Sequence, residues 1–169
     1  MRIKNLMVED FVNYKKPSLF LGTCFCDWKC CKEQNLDVGV CQNTPLAKYS
    51  TLELANEAIY ELFTWDKITE AVVIGGLEPM LQFDEVYELI SYFRENGCED
   101  TFVIYTGYYP EEIQDELKQL QKYKNIIIKF GRFIPGQEPH YDEVLGVYLA
   151  SDNQYGEVLH NDQSSKESR

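Results

Sequence analysis

Five of the six cysteines lie in one run, CFCDWKCCKEQNLDVGVCQN, from Cys24 to Asn43. The sixth, Cys98, stands apart. Thiols at this density point to a metal centre, a disulfide knot or a redox site. The opening MRIKNLMVEDF has neither the apolar core nor the small-residue cleavage site of a secretory signal. No apolar run approaches the roughly 20 residues of a membrane span. The expected setting is therefore the cytoplasm, where structural disulfides are rare, and the metal reading gains. The net charge of −12 repels phosphate backbones and argues against a nucleic-acid partner. Lys15-Lys16 and the Lys129–Arg132 stretch read as solvated surface.

Spacing narrows the kind of metal centre. A structural zinc site pairs its cysteines through two to four intervening residues, twice over. Cys26 and Cys30 fit one such pair, but no second compact pair follows, and His140 and His160 lie far along the chain. A 4Fe–4S cluster takes thiolates on its irons, and three ligands leave one iron open. Cys26, Cys30 and Cys41 supply three if residues 31–40 loop out, with Cys31 and Cys24 as competitors.

The elements that must position these thiols follow from hydrophobic pattern. Ser18-Leu19-Phe20-Leu21-Gly22-Thr23 reads as a short buried strand ending at the cysteine run. Ser50 and Glu53 form a capping-box pattern ahead of a helix carrying Leu54, Ala58, Ile59, Leu62 and Phe63. Residues 69–74 are a second strand cut off by Gly75-Gly76, and residues 83–95 a second helix ended by Asn96-Gly97. Residues 101–105 are a third strand, Pro110 opens a third helix, residues 125–130 are a fourth strand, and 144–149 a fifth. Nearly every strand is an unalternated apolar run. The expected fold class is α/β, a mostly parallel sheet with alternating helices. Residues 1–159 read as one domain and 160–169 as a disordered tail. Ligands of such sheets bind beyond the carboxyl ends of the strands, which here carry Gly22, Gly75-Gly76, Gly107 and Gly131.

The same residues carry a family resemblance. The cysteine run resembles the loop of radical S-adenosylmethionine (SAM) proteins, which hold a 4Fe–4S cluster by C-x3-C-x2-C after the first strand. Gly75-Gly76-Leu77-Glu78-Pro79 resembles the family's Gly-Gly-Glu-Pro motif, with Leu77 either inserted or replacing a glycine. Tyr105-Thr106-Gly107-Tyr108, Gly131-Arg132-Phe133 and Ser151-Asp152-Asn153-Gln154 resemble elements of one branch, the activating proteins of anaerobic ribonucleotide reductase. The match runs from about residue 18 to 154. Position 33, where the third cysteine would fall, is Glu33, so residues 31–40 read as an insertion that displaces the third ligand to Cys41.

The resemblance implies a partial (β/α) barrel, and as cofactors a 4Fe–4S cluster on Cys26, Cys30 and Cys41 together with S-adenosyl-L-methionine. It implies that Gly75, Gly76, Glu78 and Pro79 face the methionine portion of SAM, and Thr106, Gly107 and Tyr108 the adenosine side. Glu78 before Pro79 also reads as an acid at a helix N-terminus, favoured by the dipole. The implied reaction is reductive cleavage of SAM to methionine and a 5′-deoxyadenosyl radical. The implied partners are a large glycyl radical enzyme, an anaerobic ribonucleotide reductase, and an electron donor such as flavodoxin. Two rivals stand beside this: a radical SAM enzyme with a small-molecule or peptide substrate, and a non-catalytic zinc-binding or redox module.

Overall fold

The computed structural model describes residues 1–160. Of the expected disordered tail, residues 161–169 lie outside the described residues. In chain order the elements are β1 (Arg2–Ile3), β2 (Asn5–Asp10), β3 (Ser18–Thr23), α1 (Lys29–Lys32), α2 (Thr44–Ala47), β4 (Leu52–Glu53), α3 (Asn56–Trp65), β5 (Ala71–Gly76), α4 (Phe83–Glu95), β6 (Thr101–Tyr105), α5 (Gln114–Leu120), β7 (Ile126–Phe130), β8 (His140–Asp142), β9 (Val147–Leu149) and β10 (Tyr155–Val158). Single 3-10 turns at Val38–Val40, Pro79–Gln82 and Pro110–Glu112 join some of them.

The central sheet has six strands in the order β10-β7-β6-β5-β3-β2. The four inner strands are parallel: β3 pairs with β5, β5 with β6, and β6 with β7. Both edges are antiparallel, β2 against β3 and β10 against β7. The mixed α/β class agrees with the sequence reading. The sheet is open between its two antiparallel edges and does not close into a barrel.

Side chains alternate along each inner strand, and both faces are covered. Leu19, Leu21, Val72, Ile74, Phe102, Ile104, Ile126 and Ile128 pack under Ile59 and Phe63 of α3 and Val86, Leu89, Ile90 and Phe93 of α4. Phe93 sits at the centre of this layer, with its ring centroid 5.0 Å from Tyr60, 5.4 Å from Phe63 and 5.1 Å from Phe102. On the other face, Ala71, Val73, Val103 and Ile127 meet Tyr14, Leu145 and Leu149. That second cover comes from a loop and the β8–β9 hairpin. Two covered faces explain the unalternated runs.

Several sequence expectations shift. The capping box at Ser50 and Glu53 does not form: Leu52 and Glu53 pair antiparallel with Ile3 and Arg2. Leu54 and Met1 also exchange main-chain bonds, so this segment is held by the N-terminus, and α3 starts at Asn56. β5 begins two residues later than read and runs through both glycines. Pro110 opens a 3-10 turn, and α5 follows from Gln114. The expected fifth strand at 144–149 is the β9 arm of a separate two-stranded hairpin. No helix among the described residues is long and apolar enough to cross a membrane.

Candidate metal centre

The cysteine run leaves the carboxyl end of β3 and crosses the ends of β5 and β6. Its first anchor is a main-chain bond from the Glu78 amide to the Phe25 carbonyl, 2.7 Å. Trp28 then adopts a left-handed backbone, φ 59°, and turns the chain into α1, which carries Cys30 and Cys31. Residues 31–40 form the end of α1, a turn and the 3-10 turn Val38–Val40, whose entry is capped by Asp37 accepting from the Gly39 amide. That path returns Cys41 to the wall of the cavity that Cys30 lines. α2 then seats Leu46 against the strand ends. Gly76 makes room for it: its φ is +81°, and a Cβ there would stand 2.6 Å from Leu46 Cδ2.

A cavity of about 220 Å³ opens at the strand ends, and Cys26, Cys30 and Cys41 all line it. Gly75, Gly76, Glu78, Thr106 and Gly107 line it as well, and its floor reaches across the sheet to Phe20, Tyr105 and Lys129. Of the competing thiols, Cys31 is buried with its sulfur 3.8 Å from that of Cys30, and it does not line the cavity. Cys24 faces away, toward Thr51 and Arg2, with its amide held by Gln82 at 2.7 Å. Cys98 lies beside Asp100. Glu33, which stands where the family's third cysteine would fall, pairs with Arg132 at 2.9 Å.

The thiols differ electrostatically. Burial raises the Cys26 pKa to about 11, against the Trp28 amide 3.3 Å from its sulfur. Cys41 is lowered to about 6, first by its interaction with the Cys30 thiol and, against its burial, by the Asn43 and Thr44 amides. Cys30, half-buried between Cys41 and Cys31, is raised, first by its interaction with Cys41 and then by burial.

Glu78 ties the site together. It is buried and caps the 3-10 turn opened by Pro79, with Oε1 accepting from the Met80 amide at 3.0 Å. Oε1 also accepts from Thr106 Oγ1 at 2.7 Å, and Oε2 from the Gly107 amide at 2.8 Å. Burial raises its pKa, and these three donors oppose the rise. Glu78 is thus the acid at the start of the turn and at the same time part of the cavity wall. Pro79 is buried and does not line the cavity; it shapes the turn.

Tyr108 packs against the cysteine segment. Its hydroxyl donates to Asp27 Oδ2 at 2.7 Å, and its ring takes Lys29 at 5.1 Å and Arg132 at 5.9 Å. It lines a smaller pocket of about 40 Å³ on the outer side of Cys26 and Cys30, not the main cavity. The reason is the turn after β6, where Thr106 Oγ1 takes the Tyr108 amide at 3.0 Å and directs the ring outward.

Two basic residues read as surface are buried. Lys129 and Arg132 are 7% and 5% exposed. Arg132 binds Glu112 at 2.5 Å and Glu33, and Lys29 joins the same Glu112. Burial alone would push Glu112 up, but the bonds from Arg132 and Lys29 outweigh it and hold its carboxyl at about 2. The cluster clamps the cysteine segment to the ends of β6 and β7. Periodicity supplies the missed signal: on a strand buried on both faces, a lysine between Ile128 and Phe130 must enter the second face.

The Ser151–Gln154 segment acts as a brace. Gln154 Oε1 accepts from the Ala150 and Ser151 amides at 3.1 and 3.2 Å, and its Nε2 donates to the Gly131 carbonyl at 3.3 Å. Asn153 Nδ2 donates to the Arg132 carbonyl at 2.8 Å. Gly131 admits this contact, since with φ +97° a Cβ there would meet Asn153 O at 2.7 Å.

Together, fold and site define an α/β protein with a three-thiol cavity at the carboxyl ends of its parallel strands. The family described as a 4Fe-4S single cluster domain matches residues 16–154. This chain belongs to that family and is an iron–sulfur protein. No curated protein and no solved structure matches it. The residues present suit a cluster. Among the described residues no three Cys, His, Asp or Glu converge on a point that would hold a single metal ion. A cubane instead takes one thiolate per iron, so its ligands stand around a cavity, as Cys26, Cys30 and Cys41 do.

Proposed function

We propose that this protein is a radical SAM enzyme whose cluster is held by Cys26, Cys30 and Cys41 and whose substrate is a glycyl radical enzyme of the anaerobic ribonucleotide reductase class. The observation that carries the reading is Glu78: the carboxylate of the Gly-Gly-Leu-Glu-Pro motif sits buried in the wall of the cavity that the three thiols line. When bound, cluster and SAM supply reductive cleavage of SAM to methionine and a 5′-deoxyadenosyl radical.

The chain's own task is positioning and exclusion of side reactions. Glu78 Oε2 accepts one protein donor, which leaves a lone pair for the ammonium of SAM's methionine portion. Gly75 bears no side chain between Phe20 and Tyr105, so a ligand can lie against the sheet there. Thr106 and Gly107 are spent on Glu78, and they orient its carboxylate rather than the ligand. Tyr105 donates to the Asn13 carbonyl at 2.5 Å and closes the far end of the cavity. Leu36, Val38 and Val40, exposed on the segment that delivers Cys41, offer an apolar rim to a protein partner.

Anaerobic iron–sulfur reconstitution, followed by SAM and dithionite, should yield 5′-deoxyadenosine and methionine in equal amounts. A fully loaded protein that releases none would sink the radical SAM reading. Cleavage without a glycyl radical signal when the reductase is mixed in would keep the chemistry and replace the partner by a small-molecule or peptide substrate.

A further inference from the structure

The sheet face opposite the helices holds a cation that the reading above does not use. Lys129 alternates with Ile128 and Phe130 of β7, which pack toward the helices, and its side chain enters the other face. There it lines the same cavity as Cys26, Cys30 and Cys41. Its Nζ donates to the Gly131 carbonyl at 2.8 Å, one of the three bonds an ammonium can make. Arg132 and Lys29 are matched by Glu33 and Glu112. Among the described residues Lys129 has no such ion pair. Burial lowers its pKa to about 8, and the buried Glu78 acts through space against that fall.

We propose that Lys129 sets the reduction potential of the cluster, as a fixed positive charge in the cavity wall that favours the reduced form. One-electron reduction adds one negative charge to the cluster and breaks no bond. Charges interact far more strongly across a protein interior than through water. Cluster potentials follow net charge, hydrogen bonding and exposure, and Lys129 supplies the first of these without being a ligand. Lys129 is thus a positioning charge. The inference rests on the cluster occupying the thiol cavity, and no step of it requires SAM.

The test is a redox titration of the anaerobically reconstituted protein without SAM, with dithionite as reductant and the EPR signal of the reduced cluster as readout. Lys129→Met should lower the reduced-to-oxidised ratio at a fixed potential by about tenfold, a shift of about 59 mV for a one-electron couple. Lys129→Gln should behave as Lys129→Met, and Lys129→Arg should stay near the parent. An unchanged midpoint in both neutral variants would overturn the inference. So would an equal shift in Lys129→Arg, which would assign the effect to packing. If both neutral variants fold by circular dichroism but do not load iron, Lys129 belongs to cluster binding and the tuning role falls. SAM cleavage tests the enzymatic reading separately, so the two can fail independently.

Discussion

The two faces of the central sheet are both covered, yet they are built differently. The helix-covered face is a layer of aliphatic and aromatic side chains centred on Phe93, with no ionisable group in its buried cluster. The opposite face begins as the same kind of layer, with Val73, Val103 and Ile127, but toward the carboxyl ends it gives way to Tyr105, Lys129 and the thiol cavity. One face is packed for stability. The other spends its burial on groups whose desolvation is costly unless they are matched. Glu78 is matched by three donors, and Arg132 by two carboxylates. The division teaches that stability and site chemistry can be perturbed separately, and four experiments press on that division.

The largest effect is expected at the thiols. Cys26→Ala, Cys30→Ala and Cys41→Ala should each abolish cluster loading, read as iron and sulfide per chain, while Cys24→Ala and Cys98→Ala load as the parent. Full loading of Cys41→Ala would move the third ligand to Cys31. Next comes the helix face. Phe93→Ala should cost about 3–5 kcal/mol of folding free energy, by denaturant titration of the apoprotein. Iron per folded chain should not change; a parallel loss of loading would mean that the two faces are coupled. Glu78→Gln should cost about 1–3 kcal/mol, because the amide turns a donor toward one of three donors already in place. The same variant should lose SAM cleavage out of proportion to its stability.

The smallest effect is a pH dependence at the clamp. The Glu112 carboxyl lies at about 2 in the folded protein against an ordinary 4.5, so its contribution is fully present above about 4.5 and is lost as pH falls toward 2. The apoprotein should therefore melt higher than Glu112→Gln at pH 6, and the gap should narrow as pH is taken down through 4 to 3. A constant gap would show that the Arg132 pair contributes nothing through charge.

Much of the scaffold is legible in the residues. The four parallel strands and α4 lie where apolar runs and the 83–95 periodicity put them, because a helix or strand buried on one or two faces must show that pattern locally. The two edge strands were not legible. Asn5–Asp10 and Tyr155–Val158 carry mixed polar and apolar residues, since each has only one covered neighbour to satisfy. α3 starts later than its capping pattern indicates because Leu52 and Glu53 pair with Ile3 and Arg2, a non-local competitor that no local cap can reveal.

The site divides in the same way. The sequence by itself determined that several thiols crowd one segment, that the segment follows a buried strand, and that glycines mark the strand ends opposite it. These are properties of neighbouring residues, and chain connectivity alone enforces them. Only the tertiary structure decided which thiols share a cavity, that Glu33 turns to Arg132, that Tyr108 faces Asp27, and that Lys129 is buried beside Cys30 rather than solvated. Each of those outcomes depends on which distant groups arrive at the same strand ends, and on the cost of leaving a buried charge or donor unmatched once they do.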